Sequence, residues 1–322
     1  GADWTINLVT RVGISFWPQD ARAADALLDD ALATAGKLPA GSGYAFFTPE
    51  ILAQARRRLE VEAALRGALA RDEFRLVYQP RVDLGDLHLN GAEALLRWTS
   101  PALGEVPPME FISVAEDAGL IDDIGDWILD RACREASAWR RAHQRAVTVS
   151  VNVSSRQLAS PARLLGKVRA ALALHGLPGS ALELELTESM IVDASAELLE
   201  MLQALRGQGV SIALDDFGTG YSSLGYLRKL PVDCLKIDRA FVADLTRDPG
   251  AEGVLEAILA VAAALRLRTV AEGIETNEQF QLVAARGCRE GQGYLFSRPL
   301  EAAAFESLLA GRATLGPLAR AG

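Results

Sequence analysis

The apolar and polar positions before Phe74 predict a small α/β fragment and a long connecting helix. An apolar run from Ile6 to Phe16 predicts a strand, an amphipathic pattern predicts a helix from Asp20 to Ala35, and Tyr44 to Phe47 predicts a second strand. Thr48 and the proline after it form a typical helix start, with Thr48 as the N-cap. The apolar spacing continues this connecting helix through Leu69.

From Phe74 onward, short apolar runs alternate with helical stretches, as is typical of strands joined by crossover helices. The connection from Arg81 to Gly91 is too short for a helix and predicts an antiparallel first strand. The pattern therefore predicts an α/β fold, a (β/α)8 TIM-like barrel distorted at its first strand. The predicted strands are Phe74 to Gln79, Ala92 to Trp98, Val147 to Val153, Ala181 to Leu186, Val210 to Leu214, Val232 to Ile237, Arg268 to Ala271 and Gly291 to Phe296.

The composition limits the classes of binding partner and the cellular locations that fit this sequence. The 322 residues carry a net charge of -9, which argues against a nucleic acid polymer as partner but allows a phosphate ligand if metal ions reverse the local charge. The three cysteines are far apart in sequence, which predicts reduced thiols and a cytoplasmic location. We expect no membrane segment here, because the most apolar helix, from Ala257 to Leu265, is too short to span a bilayer. A longer protein could carry an anchor upstream of Gly1.

Polar residues recur at or near the carboxyl ends of the predicted strands, where a parallel barrel brings side chains together. Several acids at one place would repel each other without cations, and hard oxygen ligands suit Mg²⁺ or Mn²⁺. An acid in such a position can also be a helix N-cap, and Asp238 fits that interpretation equally well. The residues are Glu93, Asn152, Glu185, Asp215, Asp216, Lys236, Asp238, Glu272 and Gln292.

This set predicts two-metal hydrolysis of a phosphate ester, since two cations can clamp a phosphodiester and activate a water molecule. Asp215 and Asp216 are adjacent, so in extended geometry they point apart, which suits one bridging ligand and one ligand of a second metal. Lys236 supplies a positive charge near the phosphate or the water, and Glu272 is the candidate base. An enolase-like barrel would also explain a metal site, but it explains neither the paired acids nor Arg97.

Eight short motifs follow one another between residues 74 and 310, starting at Tyr78 (YQP), Glu93 (EALLRW), Val151 (VNVS), Glu185 (ELTE), Asp215 (DDFGTGYSSL), Lys236 (KID), Ala271 (AEGIE) and Gln292 (QGYLF). In this order they resemble the EAL domain family. That resemblance implies a cyclic di-GMP phosphodiesterase that opens one phosphodiester bond to give linear pGpG with two Mg²⁺ or Mn²⁺ ions. The alternative is a catalytically silent receptor that binds cyclic di-GMP and transmits the signal through the connecting helix.

The resemblance also implies a role for each matching residue. Lys236 and Glu272 would serve the attacking water, and Glu188 would hold the loop from Asp216 to Leu224. That loop would contribute to a homodimer, and Glu275 would be a supporting acid. The implied metal ligands are Glu93, Asn152, Glu185, Asp215 and Asp216, and the implied substrate contacts are Gln79, Arg97 and Gln292.

The first residues resemble the closing portion of a GGDEF domain, in the segments starting at Val12 (VGIS), Pro18 (PQD) and Phe46 (FFTPE). The half that carries the GGDEF loop is absent from this sequence, so no cyclase activity is predicted. The expected domains are a GGDEF-like remnant at 1–48, a linker helix at 49–72 and an EAL domain at 73–312.

Overall fold

The computed structural model describes residues 10–38, 41, 43–191, 194–218, 224–248, 250–311 and 315. The strands are β1 Arg11–Ile14, β2 Gly43–Phe46, β3 Phe74–Asp83, β4 Leu89–Ser100, β5 Gly104–Val106, β6 Thr148–Asn152, β7 Leu182–Thr187, β8 Ser211–Phe217, β9 Cys234–Ile237, β10 Arg268–Ala271, β11 Glu290–Gly291 and β12 Leu300–Glu301. The helices are α1 Ala24–Lys37, α2 Pro49–Leu65, α3 Pro108–Asp117, α4 Ile121–His143, α5 Ser155–Leu158, α6 Pro161–His175, α7 Glu188–Ile191, α8 Ala196–Arg206, α9 Leu224–Leu227, α10 Arg239–Asp244, α11 Ala251–Ala264, α12 Asn277–Ala285 and α13 Ala302–Ala310.

Eight strands close into a barrel in the order β3, β4, β6, β7, β8, β9, β10, β11. The strands from β4 through β11 pair in parallel along this order, while β3 runs antiparallel to both of its neighbours, β4 and β11. The predicted TIM-like barrel with an antiparallel first strand is confirmed. None of the helices in the described part of the chain combines the length and apolarity needed to cross a membrane.

The inside of the barrel is mostly polar, and the large apolar core lies outside it, between sheet and helices. A separate apolar cluster consists of Ala213, Cys234 and Val270, all fully buried. Side chains two residues apart on a strand share a face, so Ala213 and Val270 lie between polar positions at the two ends of β8 and β10. On β9, Cys234 precedes Lys236 on the same face. The barrel interior therefore has a polar layer at each end and a thin apolar layer between them.

The layer at the amino ends of the strands is a buried ion cluster of Arg81, Glu183, Arg268 and Glu290, here called the basal ion cluster. Arg81 Nη1 donates to Glu183 Oε1 at 2.5 Å, and Arg81 Nε lies 3.0 Å from Glu290 Oε2. Arg268 forms ion pairs with both acids. Glu183 is fully buried, so its charge depends on these two guanidinium groups. The sequence pattern does not predict this cluster.

Glu183→Ala is expected to lower the free energy of unfolding by about 3–5 kcal/mol, because it leaves Glu290 as the one remaining acid of the cluster for two guanidinium groups. Denaturant unfolding measures this loss. Glu200→Ala, on the exposed face of α8, is the control and is expected to change stability by less than about 0.5 kcal/mol. A loss below about 1 kcal/mol for Glu183→Ala would show that the cluster does not stabilise the barrel.

The Glu183 carboxylate also makes the free energy of unfolding depend on pH in the acidic range. Burial alone would raise the pKa of Glu183, but Arg81 and Arg268 lower it from 4.5 to about 2. A lowered folded-state pKa contributes stability that is complete above the unfolded value and is lost as pH falls through the folded value. The stability difference between wild type and Glu183→Gln is therefore expected to shrink between pH 4.5 and 2. A constant difference over this range would contradict the ion-pair explanation.

The amino-terminal part contains the predicted α/β fragment. The strands β1 and β2 pair in parallel, and α1 packs on them. The predicted strand from Ile6 begins outside the described residues and is seen from Arg11 to Ile14, and the helix predicted from Asp20 begins at Ala24. Thr48 stands at the N-cap position of α2, although its side chain makes no capping hydrogen bond.

Two predicted boundaries are wrong. The connecting helix α2 ends at Leu65 rather than continuing through Leu69, because the Arg71 guanidinium caps the carbonyl of Ala64 at 2.7 Å and the chain turns at Gly67. The eighth strand was predicted from Gly291 to Phe296 but contains only Glu290 and Gly291. The chain then folds against Ile274, where a Cβ on Gly293 would lie 2.1 Å from the Ile274 carbonyl oxygen.

Candidate active site

The carboxyl ends of the barrel strands bring together seven of the predicted site residues. Each side chain reaches the same end of the barrel because parallel strands place their last residues at one face. Glu272 and Gln292 directly follow β10 and β11, and their backbone hydrogen bonds continue the pattern of the neighbouring strands. The seven residues are Glu93, Asn152, Glu185, Asp215, Lys236, Glu272 and Gln292.

Lys236 lies at the centre of four carboxylates, and its side chain is only 1% exposed. Its Nζ is 2.6 Å from Glu185 Oε2 and 2.7 Å from Glu272 Oε1. Asp215 Oδ2 is 3.2 Å away and Glu93 Oε2 is 3.5 Å away. One buried ammonium therefore faces four acids, which leaves this end of the barrel strongly negative.

Two amide side chains fix the position of Glu93. Asn152 Nδ2 donates to Glu93 Oε1 at 2.9 Å, and Gln292 Nε2 donates to Glu93 Oε2 at 2.7 Å. Gln292 Nε2 also lies 3.1 Å from Glu272 Oε1. Gln292 thus connects two acids of the site, whereas the family resemblance implies only a substrate contact for this residue.

The pKa values reflect this crowding. Burial, assisted by the nearby acids and opposed by Lys236, raises the pKa of Glu272 to about 8. Burial and repulsion from Glu93 raise the pKa of Glu185 well above its ordinary value. Although burial opposes the charge on Lys236, the surrounding carboxylates raise its pKa well above 10.5. Without further cations the site therefore tends to take up protons, whereas bound cations would keep its acids ionised.

The donor set fits divalent metal ions, although the acids converge on Lys236. No three acidic, histidine or cysteine side chains stand at metal-binding spacing within the described ranges. The oxygen donors are nevertheless those that Mg²⁺ and Mn²⁺ prefer. Glu185 Oε1 is buried and makes no hydrogen bond, which leaves one acceptor in the site for a cation. A metal-bound state requires the carboxylates to turn away from the ammonium.

Asp216 adopts a left-handed backbone conformation, with φ at 55°, so the extended geometry predicted for the Asp215–Asp216 pair is wrong. The pairing of β8 with β9 shifts register here, and the Asp216 N–H donates to Asp215 Oδ1 at 2.9 Å. Burial and the charge of Asp215 raise the pKa of Asp216. The two carboxyl groups are therefore separated by a bulge rather than by strand alternation.

The loop after Asp216 is attached at its start by Glu188. Glu188 Oε2 accepts the Gly218 N–H at 3.0 Å, which is a contact with the first part of the loop that Glu188 is predicted to hold. The continuation of the loop, 219–223, lies outside the described residues, and so does the predicted dimer contact made there.

The remaining predicted residues make contacts other than those with the acids around Lys236. Gln79 Nε2 donates to the Ser297 carbonyl at 2.5 Å, and Arg97 Nη1 donates to the Leu96 carbonyl at 2.8 Å. Glu275 is exposed and does not join the acids around Lys236. Asp238 is the N-cap of α10, where Oδ1 accepts the Ala240 N–H at 2.9 Å, so its capping interpretation is confirmed.

A cavity of about 260 Å³ adjoins the site and was missed in the sequence analysis. It shares Arg97 and Asn152 with the predicted set, and most of its other lining comes from helices, including Ile112, Glu116 and Gln157. A sequence pattern marks two of the residues that line this cavity. Ser154 and Gln157 form a capping box at the start of α5, a spacing that is visible in the sequence.

Comparisons with known proteins agree on one family. The sequence profile of the EAL domain matches residues 62–299. Cyclic di-GMP phosphodiesterase NbdA of Pseudomonas aeruginosa is 41% identical over 307 residues, covering 95% of this chain and 39% of NbdA. Cyclic di-GMP phosphodiesterase PA2567 of the same organism is 42% identical over 262 residues, covering 81% of this chain and 44% of PA2567. The chain thus spans less than half the length of these relatives.

A solved structure supports the same assignment. The PaMucR phosphodiesterase in complex with c-di-GMP aligns with a TM-score of 0.73 and 42% identity, covering 76% of this chain and 99% of that chain. The family match at residues 62–299 contains all eight barrel strands and the motifs at the strand ends. The chain belongs to the EAL domain family.

Proposed function

We propose that this chain hydrolyses cyclic di-GMP to linear 5'-pGpG. The observation that carries the proposal is the group of four acids, two of them buried and two partly buried, around the buried Lys236. Relatives named as cyclic di-GMP phosphodiesterases, and a related structure with c-di-GMP bound, support this substrate. EAL domains are metal-dependent phosphodiesterases, which agrees with the oxygen donors of the site.

We further propose two Mg²⁺ or Mn²⁺ ions as cofactors. When bound, they would neutralise the phosphodiester and lower the pKa of a water molecule. The carboxylates present in the site would then be held ionised, which reverses the tendency of Glu185 and Asp216 to take up protons. The residues proposed to hold the ions are Glu93, Asn152, Glu185, Asp215 and Asp216.

Lys236 and Glu272 are proposed to serve the attacking water. The pKa of Glu272 is about 8 without metal, which favours the protonated acid at neutral pH. Bound cations would keep Glu272 ionised, and its carboxylate would then accept the proton that leaves the water. As the water oxygen bonds to phosphorus, the bond from phosphorus to the 3' oxygen breaks. The leaving 3' oxygen takes up one proton, equivalent to the one that Glu272 removed from the water, so the products are a 3' hydroxyl and a 5' phosphate. Lys236, 2.7 Å from Glu272, carries the positive charge that opposes the growing charge on the phosphate oxygens.

Substrate contacts are proposed for Gln79, Arg97 and Gln292. Arg97 borders the cavity beside Asn152, where an apolar lining and a few polar groups suit a flat nucleobase. A guanine in this cavity would place its ribose phosphate toward the acids around Lys236. Gln292 would then act both on the substrate and on Glu93.

The second candidate is a silent receptor that binds cyclic di-GMP without hydrolysis. The tight pairing of Lys236 with the acids in the metal-free chain is compatible with a resting state of this kind. The complete acid set favours the enzyme, because a receptor does not need acids that bind metal and activate water.

Metal removal separates the two candidates. The chain treated with EDTA is expected to form no product from cyclic di-GMP, and added Mg²⁺ or Mn²⁺ is expected to restore hydrolysis. Chromatography of the nucleotides measures the product in both cases. Tight binding of cyclic di-GMP with neither metal restoring product would establish the receptor and reject the enzyme.

Three further expectations remain proposals. A homodimer would use the loop after Asp215, and a cytoplasmic location agrees with Cys133, Cys234 and Cys288 being free buried thiols. The segment 1–48 would be the remnant of a GGDEF domain, in keeping with the parallel pair of β1 and β2 packed on α1.

A further inference from the structure

The helix α3 lies between the connecting helix α2 and the cavity beside the active site. Residues spaced three or four apart on a helix share a face. Pro108, Ile112 and Glu116 follow this spacing and line the cavity. Glu110 and Asp117 stand on another face, where they meet α2. One short helix thus borders both α2 and the cavity that we assign to the nucleobase.

Two ion pairs join α2 to this helix. Arg57 Nε lies 2.5 Å from Glu110 Oε1, and Arg57 Nη2 lies 3.5 Å from Glu110 Oε2. Arg58 pairs with Asp117 Oδ2. The two acids stand in the first and last turns of α3, so α2 holds the helix at both ends.

We infer that Arg57 and Arg58 are positioning residues, which act through α3 on the cavity that receives the nucleobase. Both residues precede the part of the chain that the EAL domain profile matches, 62–299. The inference rests on the proposed function, because it takes the cavity as part of the substrate site. It makes the position of α2 a determinant of substrate affinity.

The expected effect is on binding rather than on chemistry. Arg57 and Arg58 contact neither Lys236 nor the four acids around it, so the rate of the reaction step should be unchanged once substrate is bound. A change that removes only substrate binding raises KM and leaves kcat unaltered. The side chains are 38% and 44% exposed, and ion pairs at that exposure are weak, so the effect should be moderate.

The test measures KM and kcat for cyclic di-GMP with Mg²⁺ in the complete chain. The double variant R57A/R58A is expected to raise KM by about 3- to 10-fold and to keep kcat within about 2-fold of wild type. R56A removes the neighbouring arginine, which is exposed, and is expected to leave both constants unchanged. The charge exchange R57E/E110R is expected to recover affinity relative to R57E.

If R57A/R58A does not fold, the same ion pairs can be removed by substituting their acidic partners on α3. E110Q/D117N removes the same two ion pairs from α3 and is expected to raise KM to a similar extent. Unchanged KM in the folded double variants, an effect on kcat alone, or no recovery in R57E/E110R would each overturn the inference. An inactive wild type would instead reject the proposed function, so the two failures are distinguishable.

Discussion

Glu93→Ala is expected to lower turnover of cyclic di-GMP by at least about 10³-fold while the barrel stays folded. Glu93 meets Asn152 and Gln292 through its two oxygens and is one of the proposed metal ligands. Its loss removes a ligand and leaves both amides without their acceptor. The measurement is kcat with saturating Mg²⁺ or Mn²⁺, together with a metal titration that should show weaker metal dependence.

Two further variants separate loss of the Glu93 charge from loss of side-chain volume and from nonspecific effects of substitution. Glu93→Gln preserves the size of the side chain but removes its charge, and it is expected to be as inactive as Glu93→Ala. Glu200→Ala, on exposed helix surface, is expected to retain wild-type turnover. Turnover within about 10-fold of wild type in folded Glu93→Gln would remove Glu93 from the metal site.

Lys236→Ala is expected to have two effects of different origin. Turnover should fall by about 10²- to 10³-fold, because the positive charge beside the phosphate is lost. Stability without metal should fall by about 3–5 kcal/mol, because four buried or partly buried acids lose the ammonium between them. Added Mn²⁺ should restore much of that stability, because the cations provide the charge that Lys236 supplied.

Metal-dependent binding of cyclic di-GMP should survive in Lys236→Ala. Calorimetry of binding and thermal unfolding with and without Mn²⁺ measure the two effects separately. Lys229→Ala, an exposed lysine elsewhere in the chain, is the matched control and should match wild type in both. Loss of binding in folded Lys236→Ala would contradict the catalytic role, and unchanged metal-free stability would contradict the account of the buried charges.

The sequence predicted the part of the site that depends on strand order. Glu93, Glu185 and Lys236 lie in apolar runs, where a buried charge requires a partner, and parallel strands place them at one end. The contacts between them could not be predicted, because Lys236 reaches four acids through three-dimensional packing. For the same reason the sequence did not show that Gln292 bridges Glu93 and Glu272.

Backbone details and distant contacts account for the other differences. The left-handed turn at Asp216 interrupts an apparently regular strand, which hydrophobic periodicity does not reveal. The basal ion cluster joins Arg81 to Glu183, 102 residues apart, through barrel closure. The cavity beside Asn152 is lined largely by helices, so a search confined to strand ends could not find it.

The most direct test of the central claim is hydrolysis of cyclic di-GMP in water enriched in oxygen-18, with Mg²⁺ or Mn²⁺ and product analysis by mass spectrometry. The account predicts linear 5'-pGpG that carries one solvent oxygen in its 5' phosphate, and no such product with Glu93→Gln. Intact cyclic di-GMP after incubation with folded, metal-loaded wild-type chain would contradict it.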